Sequence, residues 1–422
     1  MDWYCVGVVA ALVGAWLVET LSGMLTLRGL KADPDPEALD LMGESKLSRA
    51  RTYSTARQKF SLLRESTQLI LVLGFLFAGG FNLLDQGVAL FHLPEVVTGV
   101  LFVAALGVLS QGVGLPWDYY STFVIEERFG FNTTSPKLWV ADRVKSWLLA
   151  LVLGGPLLLA VIWCLVELGS KAWPTAWAIS TVVMLILHYI GPTLILPLFN
   201  TLTPLEQGPK REAIEAYSRA NAIPVKDIMV MDGSKRSKKA NAFFTGLWGK
   251  RRIVLFDTLV NKHSAQQLVA VLAHEAGHWK LKHIPLLLVL GVLQTGFMFW
   301  CLSLFLKVEG IHQAFGMERV TVHGGLVFFF LLFTPLSLLL GVVTRWISRI
   351  CERAADRFAV RSMGTAQPML RALQSLAKSN LSNPVPHGME VALHHSHPPL
   401  LARMQAIREY FPEKEHMKAA TD

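Results

Sequence analysis

Seven apolar runs, at about 4–26, 66–85, 96–115, 147–168, 175–198, 284–306 and 324–344, constrain this chain more than any other feature. A helix needs about 20 residues to cross roughly 30 Å of hydrocarbon. Lipid offers the backbone no hydrogen-bond partners, so a run of this length and polarity is predicted to form a helix that satisfies itself. Composition agrees: 52% of the 422 residues are hydrophobic and only 17% are charged, which excludes an ordinary soluble domain. The first run carries Asp2 where a signal peptide has basic residues and is too long for a signal core, so it is predicted to remain as an anchor.

The basic residues are not spread evenly over the connections. Arg28, Lys31, Lys46, Arg49, Arg51, Arg57, Lys59 and Arg64 crowd the segment between the first two runs, whereas 86–95 has no Lys or Arg. The alternation continues: 116–146, 199–283 and the tail are basic, and 169–174 and 307–323 are nearly free of Lys and Arg. Positive loops stay in the cytoplasm, so the N-terminus is predicted outside and the C-terminus inside. The formal charge of +9 is then a topology signal and a contact for lipid headgroups, and no nucleic-acid partner is expected. Cys5, Cys164, Cys301 and Cys351 are scattered with no CxxC pair, so no disulfide framework is implied and the redox compartment stays open.

This layout divides the chain into 1–198 (five membrane helices with their loops), 199–283 (cytoplasmic), 284–344 (two membrane helices) and 345–422 (cytoplasmic). In the first cytoplasmic region, 211–223 has helical spacing ended by Pro224. Residues 226–234 and 251–260 read as short strands, and "KKANAFFTGLWGKRRIVLF" (238–256) as an exposed strand and its return, a hairpin whose edge could hold an extended peptide. Residues 263–283 read as a helix with Ser264 as its N-cap.

That last helix carries "HEAGHW" (274–279). Residues four apart share one helix face, so His274 and His278 can aim ring nitrogens at one point, as a Zn²⁺ site requires. Glu275, turned away by about a hundred degrees, is free to act as general base on a water. The pattern is short enough to arise by chance and needs a third ligand. "SRICERAADRFA" (348–359) offers Glu352 as that ligand and Asp356 as acceptor for the outer ring N–H of a histidine. A solvated charged face pairing Glu352 with Arg349 is the plainer alternative. "HHSHPPLLARM" (394–404) reads either as an oxyanion donor or as a turn with exposed histidines.

Together with "IEERFGFNTTSPKLWVADRVK" (125–145), "LPLFNTLTPLE" (196–206) and "SKKANAFFTGL" (237–247), these stretches resemble the zinc-dependent CAAX prenyl endopeptidases of the a-factor-converting type. The resemblance runs over nearly the whole chain. It implies an all-α polytopic membrane protein in which seven helices form a barrel around a chamber, with a gluzincin-type protease region containing a small β-hairpin. It implies one Zn²⁺ per chain held by His274, His278 and Glu352, with Glu275 as base and Asp356 behind a ligand. It further implies Asn241 and Arg403 as substrate-binding residues and His397 as an aid to the transition state. The expected partners are membrane lipids and a peptide or protein substrate, either prenylated or otherwise associated with the membrane. A membrane quality-control protease would use the same chemistry; a scaffold or transporter without catalysis would not need the intact set of His274, Glu275, His278 and Glu352.

Overall fold

The computed structural model describes residues 3–245 and 251–411. Among the described residues, seven helices are long and apolar enough to cross a membrane: Trp3–Lys31, Glu44–Phe77, Glu95–Glu126, Pro136–Glu167, Gly169–Phe199, His283–Phe305 and Val322–Met363. Each contains the apolar run expected of it to within one residue except the second, whose run was expected to reach 85. That helix stops at Phe77, Gly79 adopts a left-handed φ of 67°, and a separate helix, Gly80–Ala89, turns Phe81 and Asp85 inward. Only glycine takes this conformation without steric cost, so the Ala78-Gly79-Gly80 stretch breaks a run that hydropathy reads as continuous.

The seven helices follow one another round a ring. The first packs on the second, the third to seventh pack in chain order, and the seventh returns to the first while also lying against the third and fourth. The second and third meet through Arg64 with Asp118 and through Phe60, which stacks on Tyr120 and lies against Trp117. Where these helices meet, their buried apolar residues gather in two clusters, one around Phe102 and Phe328 and one around Ile162 and Leu302. Two helices project far past their apolar runs. The second begins at Glu44 and the seventh ends at Met363, each about 30 Å of helix beyond the apolar stretch.

These projections frame a compact body at one end of the ring. It holds a four-stranded sheet of β1 (Leu202–Pro204), β2 (Val225–Met231), β3 (Ala242–Thr245) and β4 (Arg251–Phe256), in the order β1-β2-β4-β3. The expected hairpin is β3 and β4, with Phe243 opposite Val254, but it is half of a larger sheet because β2 lies parallel to β4 on its other side. The connection 246–250 lies outside the described residues. Helix Pro209–Ala220, helix Asp257–Lys262 and the HExxH helix (Ala265–Lys280) cover this sheet with Ile214, Leu259, Leu268 and Leu272, all buried, and Leu376 of helix Gln367–Asn380 packs against them. The two polar regions that hydropathy separates are therefore one body, with β3 as its edge strand.

Candidate metal centre and active site

The HExxH helix begins as its sequence dictates. Ser264 Oγ accepts from Gln267 N at 3.3 Å and Gln267 Oε1 accepts from Ser264 N at 2.9 Å, a reciprocal cap. It ends at Lys280, and Lys282 then takes a left-handed φ of 57°, which costs roughly 1–2 kcal/mol for a side-chain-bearing residue. The turn sets His283, first residue of the sixth membrane helix, against His278 with their Nδ1 atoms 3.2 Å apart.

Close packing supplies the remaining groups. A Cβ on Gly277 would lie 2.9 Å from Ala355 Cα and 3.0 Å from its carbonyl oxygen, so only glycine lets this helix rest on the seventh membrane helix here. Ala273, Ala276 and Ala355 are fully buried along the same seam. Glu352 and Asp356, one turn apart, flank it. His274 Nε2 lies 3.2 Å from Glu352 Oε2, His278 Nε2 lies 3.2 Å from Glu352 Oε1, and the two Nε2 atoms are 3.2 Å apart. Arg349 does not join Glu352; it donates to the carbonyls of Val391 and His395.

The donor set fits a metal ion. His274 Nδ1 is 2.7 Å from Asp356 Oδ1, which places that ring's proton on Nδ1 and leaves a lone pair on Nε2. Glu352 Oε2 is buried with no hydrogen-bond donor. Lone pairs thus face lone pairs at 3.2 Å, an arrangement that repels unless a cation sits among them. Ligands about 2.0–2.1 Å from a tetrahedral zinc would lie ~3.3 Å from one another, close to what is found. Burial alone would depress the pKa of His274, but the carboxylates of Asp356 and Glu352 raise it to about 9, so with no metal bound a second proton on Nε2 supplies the positive charge that an ion would supply in its place.

Glu275 points elsewhere, towards the sheet. The backbone N–H of Phe244 donates to its carboxylate, while burial pushes its pKa above the usual range. His397 sits in the loop before helix Leu400–Tyr410, its Nε2 3.3 Å from Glu352 Oε1 and its side chain more than half exposed. Burial of the ring's surroundings lowers its pKa, so it is neutral at pH 7 and able to donate. His394 of that stretch leaves the site and pairs with Glu19 at 2.8 Å. Arg403 donates from Nε and Nη2 to both oxygens of Asp356, at 2.8 and 2.7 Å, so two of its three nitrogens hold the carboxylate behind His274. Asn241 is exposed at the start of β3, with Oδ1 accepting from Ala242 N. Because its carbonyl accepts from Phe256 N, strand alternation turns the backbone groups of Ala242 and Phe244 outward.

Residues 26–201 match the description "CAAX prenyl protease N-terminal, five membrane helices", and 204–411 match "Peptidase family M48". The chain belongs to peptidase family M48. It is an integral-membrane, multi-pass metallopeptidase. Among M48 relatives, CAAX prenyl protease 1 homolog of Arabidopsis thaliana is 33% identical over 95% of this chain and 96% of its own length. CAAX prenyl protease 1 of Saccharomyces cerevisiae is 35% identical over 90% and 89%, and the human homolog 30% over 88% and 88%. The crystal structure of S. mikatae Ste24p superposes with a TM-score of 0.91 at 31% identity, covering 96% of this chain and 99% of that one.

Sequence reasoning missed three participants in this M48 site. His283 had a signal, a further histidine nine residues after His274, but only the left-handed Lys282 brings it back. Asn380 accepts from Ala240 N at 3.0 Å and donates to Ala240 O at 3.2 Å, fixing the segment before β3. The Phe244 N–H acts through its backbone, so no residue type announces it.

Proposed function

We propose that this M48 peptidase holds one zinc ion and hydrolyses peptide bonds near the C-terminus of prenylated CAAX-type substrates or other membrane-delivered chains. The observation that carries this reading is the set of three ligand side chains, His274, His278 and Glu352, whose nitrogen and oxygen atoms approach one another to 3.2 Å, beside the open edge of β3. His274 Nε2, His278 Nε2 and Glu352 would hold the ion. Zinc bound there supplies a Lewis acid and makes water nucleophilic near neutral pH.

This chain's own residues do the rest. The carbonyls of Ala242 and Phe244 pair with an extended substrate, and Asn241 binds its backbone beside the scissile bond. Glu275 takes the proton of the attacking water and returns it to the departing amine; its raised pKa suits it to both steps. His397 Nε2 donates to the carbonyl oxygen as negative charge builds there. Arg403 fixes Asp356, and Asp356 fixes the His274 ring. The CAAX assignment leans on the names of the relatives and on a site reached within a ring of apolar helices. The basic loops favour a catalytic end in the cytoplasm and an N-terminus outside.

The test compares purified wild-type protein and Glu275→Ala for metal content and for cleavage of farnesylated and unfarnesylated CAAX peptides. Both proteins are expected to hold one zinc, with cleavage only by the wild type and a preference for the farnesylated peptide. Cleavage by the variant at the wild-type rate would sink the mechanism. Faster cleavage of an unstructured membrane protein than of the farnesylated peptide would move the reading to quality control.

A further inference from the structure

A second concavity lies at the catalytic end, behind the capped start of the HExxH helix. Its volume is about 550 Å³, and its walls carry Lys46, Arg49, Lys238, Lys262, Arg371 and Lys378 with no acidic residue among them. These cations come from five separate places: the projecting start of the second membrane helix, the segment before β3, helix Asp257–Lys262, and two turns of helix Gln367–Asn380. Among the described residues none of the six forms an ion pair, whereas several arginines elsewhere at this end do, for example Arg236 with Asp142 and Arg403 with Asp356. Two are held in place by backbone rather than by opposite charge. Arg49 Nη2 donates to Phe129 O at 2.7 Å, and Lys262 Nζ donates to Lys238 O at 3.0 Å. Neutral donors fill the gaps, with Gln267, Gln374, Ser375 and Ser379 on the same wall.

Six like charges gathered round one hollow repel one another, and elsewhere in this body a neighbouring carboxylate relieves such repulsion. Here the missing counter-charge must come from outside the chain. The first turn of the HExxH helix adds to the positive field, since Gln267 reaches the pocket and the helix N-terminus carries partial positive charge. A cavity of this size takes a small molecule rather than a single ion. Its position selects the source: Lys46 lies about 30 Å of helix below the apolar run that begins at 66, well clear of a bilayer.

We propose that this pocket is a binding site for a soluble polyphosphate, a compact molecule bearing several phosphate groups. Its occupant clamps the second membrane helix, the segment leading into β3 and the HExxH helix together. The site is separate from the metal centre and does not depend on the proteolytic assignment.

The test uses the full-length protein purified in detergent, with inositol hexakisphosphate and tripolyphosphate as probes and calorimetry and thermal unfolding as readouts. Saturable binding of one probe per chain is expected, with a raised Tm and an affinity that falls steeply with salt. Arg371→Glu with Lys378→Glu should weaken binding by more than about tenfold, and the milder Lys46→Gln with Lys378→Gln should lower the salt slope by about two. Unchanged binding in both double variants would overturn the site. So would an equal rise in Tm with sulfate at matched ionic strength, which marks non-specific anion binding. Binding to phosphoinositide vesicles without binding of the free probes would overturn the soluble source.

Discussion

Two clusters of histidine, arginine and a buried carboxylate stand at opposite ends of this molecule, and they do different things. At the far end Asp85, 1% exposed, accepts from His323 Nε2 and from Arg319 Nη2, each at 2.8 Å. Each carboxylate oxygen has its donor, and the cluster ties the loop before the seventh helix to helix Gly80–Ala89. At the catalytic end Asp356 is satisfied in the same way, by His274 and Arg403. The difference is one layer further in, where His274, His278 and Glu352 bring lone pairs to a common point with no donor among them. Matching donors make a buried cluster structural, whereas a surplus of acceptors makes it a cation site.

The sharpest way to break this comparison is histidine against histidine. His278→Ala is expected to empty the metal site and drop cleavage to background, while His323→Ala keeps one metal per folded chain; elemental analysis with a peptide assay decides it. Next comes Glu275→Gln, expected to slow cleavage by roughly 10²–10⁴ with metal content unchanged. A variant that also lost the metal would show that Glu275 is part of the ligand set. The two aspartates give a smaller contrast. Asp356→Asn should weaken metal affinity by about 10–100-fold in a chelator competition. Asp85→Asn should leave that affinity alone and lower unfolding stability by about 1–3 kcal/mol, because His323 and Arg319 lose a charged acceptor. The smallest effect is expected from Asn380→Ala, which frees Ala240 and should raise KM a few-fold with little change in kcat, the loss of about one hydrogen bond.

Much of the site could be read beforehand because it is local. HExxH places two histidines on one face by helix geometry alone, and Ser264 caps that helix through residues three apart. Glu352 and Asp356 were legible for the same reason, as one turn of a single helix. Arg403 was legible as a site residue, but its fork on Asp356 joins residues 47 apart in sequence, which no local pattern encodes. His283 escaped because its position depends on one left-handed residue, Lys282, that no spacing rule anticipates. His394 and His397 are three apart in sequence, yet one pairs with Glu19 and the other lies beside Glu352, a division that their spacing does not encode.

The sequence by itself determined the seven spans, since apolar length is a property of the chain that lipid enforces wherever the helices stand. It also determined the pairing of His274 and His278 on the HExxH helix, since residues four apart cannot avoid sharing a face. Tertiary structure decided the ring, the parallel pairing of β2 with β4 that leaves β3 as an open edge, and the contact of Gly277 on Ala355. These depend on surfaces far apart in sequence meeting with matched shape, and the contact that completes the ligand set rests on a side chain that is not there.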